Sequence, residues 1–253
     1  PEELARQHAY GLTPAVYDAA QAEAVVAAAE RLPGHQGVHL ELDTGMGRAG
    51  IRPEELEPIL NAFRGARRAR ITGTFANLSH ADDPASPATA RQVETLRGCL
   101  ERMRAAGVDP GMVHLANSAG TLAHPDTWFD AVRPGLALYG VSPSEAVDAT
   151  GLDPAMSVET RVVGVRRVPA GTPLGYGGRF VTARPTVVAM LPIGYHDGFR
   201  RSFSGRVSIL LRGRKAPVVG SVSMDITLVD ATDAGAERGE RAICLGRDGA
   251  AAV

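Results

Sequence analysis

The sequence contains almost no lysine: Lys215 is the only one among 253 residues, and arginine supplies nearly all of the positive charge. Any reaction that needs a lysine amine must therefore use Lys215 or a residue outside the printed sequence. Cysteine is scarce as well, and Cys99 and Cys244 lie far apart without the spacing of a metal site. This pattern favours free thiols in a reducing compartment, and we expect a cytoplasmic protein.

Two further absences narrow the classes of function. No apolar run reaches the roughly 18 residues that a membrane span requires, so no membrane segment is expected. The formal net charge is -1 and there is no basic run, which argues against nucleic acid as the main partner. The chain begins at Pro1 on a polar segment unlike a signal peptide, and we expect both of its ends to be truncated.

Residues 38–50, VHLELDTGMGRAG, begin as a strand in which Val38, Leu40 and Leu42 alternate with polar residues. Glycines then break the strand, and Arg48 follows just past its end. Barrels of parallel strands build their sites from loops of this kind. A buried strand with a solvated turn would show the same pattern, so this segment alone leaves both interpretations open.

Strands and helices alternate through the first part of the chain. Strands are predicted at 11–18, 38–44, 71–78, 112–117 and 131–140. Helices are predicted at 19–32, 53–68 and 90–106, with a short helix near 125–129. This alternation is typical of a parallel sheet with outer helices, but five units are too few to close an eight-stranded barrel. The predicted fold class is α/β plus all-β, with a partial (β/α)8 TIM-like barrel of about five units first.

The pattern changes after Gly140. Residues 143–155 are rich in loop-forming residues and are predicted to be a linker. From residue 156 onward, short β-rich runs are separated by Gly, Pro and Arg, with no helical spacing. We therefore expect a partial barrel domain over 1–142 and a C-terminal β domain over 156–253.

Two clusters of residues are candidates for chemistry. Ser118 and Arg133, with the Gly135-Leu136 turn, follow the last two barrel strands, where a hydroxyl and backbone amides can hold a phosphate. Tyr195 lies on the glycine-rich turn PIGYHDGF, which would display its hydroxyl. A tyrosine with a pKa near ~10 needs cationic neighbours before it can act as a base. Turn glycines and a surface arginine remain the structural alternative at the first cluster.

Six motifs occur in one order along nearly the whole chain: HLELDTGMGRAG, HLANSAG, VRPGLALYG, LGYGGRF, PIGYHDGF and APVVGSVSMD. In this combination the sequence resembles the alanine racemases, fold-type III pyridoxal-phosphate enzymes with a barrel followed by a β domain. The resemblance implies a cytoplasmic isomerase that interconverts L- and D-alanine and supplies D-alanine for peptidoglycan. It also implies a head-to-tail homodimer and a small amino-acid substrate.

The resemblance assigns binding roles to several residues. Ser118 and the backbone of Gly135 and Leu136 would hold the cofactor phosphate. Arg48 would reach the phenolic oxygen of the cofactor and the substrate carboxylate. Met224 would offer a backbone amide to the same carboxylate.

The resemblance also assigns catalytic roles. Arg133 would face the pyridine nitrogen of the cofactor, and His114 and Asn117 would hold Arg133 in place. Tyr195 would be one of two catalytic bases, acting in the site of the partner subunit. Racemisation needs an acid/base group on each face of the reacting carbon, so Tyr195 supplies one face only.

Three groups expected from the family are missing from the printed sequence. The lysine that carries the cofactor precedes the matched part, and Lys215 corresponds to a structural β-domain position. The early tyrosine after that lysine and the C-terminal tyrosine near the phosphate are also missing. We therefore expect the full-length protein to be a racemase and this polypeptide alone to be inactive.

Two departures lie inside the matched region. Glu41 stands where many members carry a carbamylated lysine, and its carboxylate is expected to pair with Arg48. Asn77 stands where the family has a histidine that orients the catalytic tyrosine, and His80 is three residues further on. Two alternatives to alanine racemisation stay open: a serine or broad-specificity racemase, and a non-catalytic relative that binds pyridoxal phosphate.

Overall fold

The computed structural model describes residues 2–253. The chain divides into two compact units, Pro1–Asp153 and Pro154–Val253. The helices and strands of the first unit are α1 (Glu2–Ala9), β1 (Ala15–Val16), α2 (Ala19–Ala29), β2 (Gln36–Glu41), α3 (Leu56–Arg64), β3 (Ala69–Phe75), α4 (Ala88–Ala105), β4 (Met112–His114) and α5 (Ser118–Ala123).

The first unit is built on a parallel sheet with the strand order β1-β2-β3-β4. A fifth strand is reduced to one parallel bridge, between His114 and Ala131. The strand predicted at 131–140 is therefore wrong beyond its first residue, and Leu136–Tyr139 form a 3-10 turn. Pro134 has no N–H to donate to a sheet, which explains why the pairing stops there.

The buried face of the sheet packs on the helices. In β2, Gln36, Val38 and Leu40 are buried, and the residues between them are half-buried on the opposite face. The apolar faces of α3 and α4 are also buried in the same core, which includes Leu60 and Leu96. The face of β2 opposite to this core carries His39 and Glu41, which are half-buried.

Two helices were not expected from the sequence. α1 covers the polar N-terminal segment, where Leu4 is its one buried residue. α5 begins at Ser118, with three residues between it and the end of β4, and directly after the strand predicted at 112–117. Val147, inside the segment predicted to be a linker, is buried in the core of the first unit.

The second unit contains only strands and single 3-10 turns in its described residues. Its strands are β5 (Val158–Arg161), β6 (Gly164–Val168), β7 (Pro173–Leu174), β8 (Phe180–Val181), β9 (Thr186–Leu191), β10 (Ser208–Leu211), β11 (Arg214–Val219), β12 (Thr227–Asp230), β13 (Arg241–Leu245), β14 (Arg247–Asp248) and β15 (Ala251–Ala252). Seven of them form one antiparallel sheet in the order β5-β13-β10-β11-β12-β9-β6. The predicted fold class, a partial parallel α/β barrel and an all-β domain, is confirmed.

Candidate active site

The residues that follow β4 and the bridge at Ala131 surround one cavity of about 460 Å³. Five residues singled out from the sequence line it: Asn117, Ser118, Arg133, Gly135 and Leu136. The carboxyl ends of parallel strands lie at one edge of a sheet, which brings these separate segments together. The structure therefore groups the predicted phosphate-binding and cofactor-facing residues in the first unit.

Ser118 joins α5 to the turn that follows Arg133. Its Oγ accepts hydrogen bonds from the backbone N–H groups of Gly135 (2.8 Å) and Ala137 (3.2 Å). A hydroxyl has two acceptor positions and one proton to donate. Both acceptor positions of Ser118 Oγ are filled, so its hydroxyl can still donate one hydrogen bond. This donor suits an anionic oxygen in the cavity.

Arg133 is held by a set of hydrogen-bond acceptors. Its Nη1 donates to His114 Nδ1 (2.6 Å) and to the carbonyl oxygen of His114 (2.9 Å). Its Nη2 donates to the carbonyl oxygens of Ala76 (2.8 Å) and Leu115 (3.5 Å), and the guanidinium lies 5.2 Å from the centre of the Phe75 ring. Within the described chain only the Nε–H of Arg133 has no partner, so this donor is the one left for a ligand.

Burial shifts the pKa values of both Arg133, which is half-buried, and His114, which is buried. Burial lowers the pKa of Arg133, and the nearby carboxylate of Glu41 raises it. Burial lowers the pKa of His114 to about 4, with smaller contributions from Arg133 and from His39. His114 is therefore neutral at pH 7, while the guanidinium stays charged.

The depressed pKa of His114 predicts a pH dependence of stability. Below pH 6.5 the unfolded chain takes up a proton that folded His114 does not bind until about pH 4. The stability present above pH 6.5 is therefore lost as the pH falls toward 4, by about 2 kcal/mol after allowing for solvent screening. Urea unfolding at pH 7 and pH 4.5 should show a smaller loss for His114→Asn, which keeps an acceptor for Arg133 but does not titrate. An equal loss in both proteins would contradict this assignment.

Asn117 does not hold Arg133 as expected. Its Oδ1 accepts the N–H of Gly120 (2.9 Å) at the start of α5, and its Nδ2 donates to the carbonyl oxygen of Leu78 (3.3 Å). Asn117 is the N-cap of α5, a position that favours asparagine. Backbone carbonyl oxygens take the place that was predicted for it beside Arg133.

Glu41 and Arg48 do not form the expected ion pair in the described chain. Arg48 is exposed, whereas Glu41 lies on β2 close enough to Arg133 to affect its pKa. The loop between them is shaped by Asp43, whose carboxylate accepts the N–H groups of Gly45, Met46 and Gly47 at 2.9, 2.9 and 3.1 Å. Burial raises the pKa of Asp43, but these three bonds outweigh it and the net pKa is lowered.

Tyr195 lies on a turn of the second unit and is 48% exposed. Its backbone N–H donates to the carbonyl oxygen of Ser223 (3.0 Å), and His196 N–H donates to that of Met224 (3.0 Å). Asp197 accepts the N–H of Gly194 (2.9 Å), a local hydrogen bond that is common for aspartate in turns. The side chain of Tyr195 is therefore exposed and is not packed into the core, while the backbone of its turn lies beside that of Ser223 and Met224.

Gly194 permits the close approach of these two turns. A Cβ at this position would lie 2.2 Å from the carbonyl oxygen of Met224, which is backbone and has no room to yield. Gly194→Ala should lower the free energy of unfolding of the second unit by about 2 kcal/mol or more. Gly164→Ala is the matched control, because its Cβ meets only the mobile end of Met190 at 2.9 Å. Equal urea midpoints for the two variants would contradict the prediction.

The remaining candidates are the single lysine and the two cysteines. Lys215 is exposed on β11 of the second unit. Cys99 and Cys244 are both unpaired, as expected. In residues 2–253 there is no group of acidic, histidine or cysteine side chains suited to a metal ion, and no helix there is long and apolar enough to cross a membrane.

His39 is the site residue that the sequence analysis missed. Its Nδ1 lies 2.9 Å from His114 Nε2. The sequence did contain an indication of this position, because the period-2 pattern of β2 places His39 on the same face as Glu41. Only the pairing of β2, β3 and β4 shows that this face brings His39 to His114.

Comparison with known proteins identifies relatives over the whole chain. The family model for the alanine racemase N-terminal domain matches residues 1–143, and that for the C-terminal domain matches residues 155–253. The alanine racemase of Thermobifida fusca is 40% identical over 225 residues, which are 88% of this chain and 60% of that protein.

Solved structures give the same result. The alanine racemase of Streptomyces coelicolor superimposes with a TM-score of 0.90 at 33% identity, covering 96% of this chain and 66% of that one. The alanine racemase of Bartonella henselae, described with covalently bound pyridoxal phosphate, gives 0.82 at 31% identity, with 97% and 66% covered. The chain spans about 60% of the length of the Thermobifida relative, and it belongs to the alanine racemase family.

Proposed function

We propose that the complete protein interconverts L- and D-alanine with pyridoxal phosphate. The observation that carries this proposal is the convergence of Ser118, Arg133 and the turn at Gly135 on one cavity. Family membership supports it independently of that geometry. We also propose that the product serves peptidoglycan synthesis in the cytoplasm.

The donors of the cavity fit the chemistry of pyridoxal phosphate. The free O–H of Ser118 suits a phosphate, which needs hydrogen-bond donors, and the amides of Gly135 and Ala137 fix the position of this hydroxyl by donating to its oxygen. The unpartnered Nε–H of Arg133 suits a pyridine nitrogen, which is an acceptor. When bound, the cofactor supplies an electron sink that makes the α-hydrogen of an amino acid removable. Arg133 contributes a hydrogen bond without a proton to give up, because a guanidinium stays protonated.

Tyr195 is proposed to move a proton at the α-carbon of the substrate. Its exposed position leaves the phenol available to a ligand. The resemblance to the family supports a homodimer in which Tyr195 acts in the site of the partner subunit, with Arg48 and Met224 binding the substrate carboxylate. A second base is required on the opposite face, and we propose that it lies outside the printed sequence.

Cofactor binding by the full-length gene product tests the proposal. Titration with pyridoxal phosphate should produce an absorbance band, and borohydride should fix the cofactor to the protein. The printed chain alone should not retain cofactor after borohydride, because its only lysine is Lys215 on β11. A full-length protein that neither binds nor retains cofactor would overturn the proposal.

Ser118→Ala should weaken cofactor binding by the full-length protein about tenfold or more. The variant removes a donor to a charged group, worth about 1.5–3 kcal/mol, and a tenfold change corresponds to about 1.4 kcal/mol. It also leaves two turn amides without their acceptor. The exposed Ser202→Ala serves as control. Equal dissociation constants for both variants would argue against a phosphate at Ser118.

A further inference from the structure

Arg133, His114 and His39 form a row of two hydrogen bonds, in which each donor points away from Arg133. Arg133 Nη1 lies 2.6 Å from His114 Nδ1, and His114 Nε2 lies 2.9 Å from His39 Nδ1. Because a guanidinium only donates, His114 accepts at Nδ1 and carries its proton on Nε2. His39 is then the acceptor at the end of the row. We propose that His39 is a positioning residue for Arg133, acting through His114.

The fold makes room for the His39 ring at this place. On the neighbouring strand stands Gly73, where a Cβ would lie 2.5–2.7 Å from three atoms of that ring. Phe75, two residues along β3, stacks on His114 with ring centres 4.9 Å apart and an angle of 8°. Gly73 leaves room for the ring of His39 and Phe75 stacks on the ring of His114, so residues of β3 accommodate both imidazoles.

The charge of Arg133 and the neutral state of both histidines determine which nitrogen donates in each of these hydrogen bonds. The titratable groups around His114 are Arg133 and His39, and Glu41 lies near the guanidinium. Burial lowers the pKa of His39 as well as that of His114. Two neutral imidazoles beside one cation can be arranged with every donor pointing away from Arg133, whereas a protonated His114 would oppose the guanidinium.

The consequence concerns the ligand-facing donor of Arg133. A histidine whose N–H is accepted by a partner is fixed in tautomer and orientation, and its other nitrogen becomes a better acceptor. His39 therefore strengthens the bond from Arg133 Nη1 and helps to aim the free Nε–H. This inference deepens the proposed function, because it concerns the residue proposed to face the cofactor.

Nitrogen NMR of the histidine rings tests the proposal on the 253-residue chain without cofactor. In the wild type, His114 should show an unprotonated Nδ1 and a protonated Nε2 whose proton exchanges slowly with water. His39→Phe keeps a ring but removes the acceptor, so this exchange should become about tenfold faster. His39→Asn offers an oxygen near the former Nδ1 and should restore slow exchange. His35→Phe, at an exposed histidine, is the control.

Three results would overturn the proposal. They are a proton on Nδ1 of His114 in the wild type, unchanged exchange in His39→Phe, and no recovery in His39→Asn. Circular dichroism of each variant checks the fold, and the wild-type tautomer remains decisive if a variant does not fold. The NMR experiment contains no cofactor, so a negative result would overturn the role of His39 without contradicting the proposed function. A failed cofactor titration would overturn the proposed function without contradicting these hydrogen bonds.

Discussion

Replacing Arg133 by methionine is expected to lower the free energy of unfolding of the first unit by about 3 kcal/mol. The substitution keeps much of the side-chain volume but removes the donors to His114 Nδ1 and to the carbonyl oxygens of His114 and Ala76. His114 is buried, so water cannot fully replace the lost donor. Urea unfolding at pH 7 measures the effect.

The matched control is Arg48→Met. Arg48 is exposed and makes no ion pair in the described chain, so its replacement should change stability by less than about 0.5 kcal/mol. The contrast separates an arginine whose hydrogen bonds stabilise the first unit from an exposed arginine that is proposed to bind the substrate. If the two variants lost equal stability, the hydrogen bonds of Arg133 would not have the role given to them here.

Tyr195→Phe should reduce racemisation by the full-length protein about 10²–10⁴-fold, the range for a positioned acid/base group. Stability and cofactor binding should stay the same, because the ring is 48% exposed and its hydroxyl has no partner within residues 2–253. Exchange of the α-hydrogen in deuterated water, measured separately from L- and D-alanine, should fall far more for one enantiomer than for the other.

Tyr10→Phe is the control for this experiment, because Tyr10 is 79% exposed and lies outside the family motifs. It should leave both exchange rates unchanged. An equal, small loss in the two variants would show that Tyr195 does not move the proton.

The architecture could be predicted because it follows from patterns within single elements. Alternation of strands and helices, the change to short β runs and the buried faces of α3 and α4 are all readable from residue spacing. Two of the failures occurred where a single residue overrides the pattern. Pro134 stops the last strand of the barrel unit, and Asn117 starts α5 by capping it.

Part of the lining of the candidate cavity could also be predicted, but not all of the contacts of those residues. Motif order identified Ser118 and Arg133, which line one cavity. It did not reveal that carbonyl oxygens would hold Arg133, that Glu41 would lie near enough to affect the pKa of Arg133, or that His39 would hydrogen-bond to His114. Those contacts depend on how three parallel strands are paired, and no spacing within one segment specifies that register.

Production of D-alanine tests the central proposal most directly. The full-length protein, saturated with pyridoxal phosphate, would be incubated with L-alanine and the enantiomers separated on a chiral column. We predict that D-alanine accumulates until the two enantiomers are equal, since they have the same free energy in water, and that Tyr195→Phe slows this approach. Cofactor-saturated wild-type protein that leaves L-alanine unchanged would contradict the proposal.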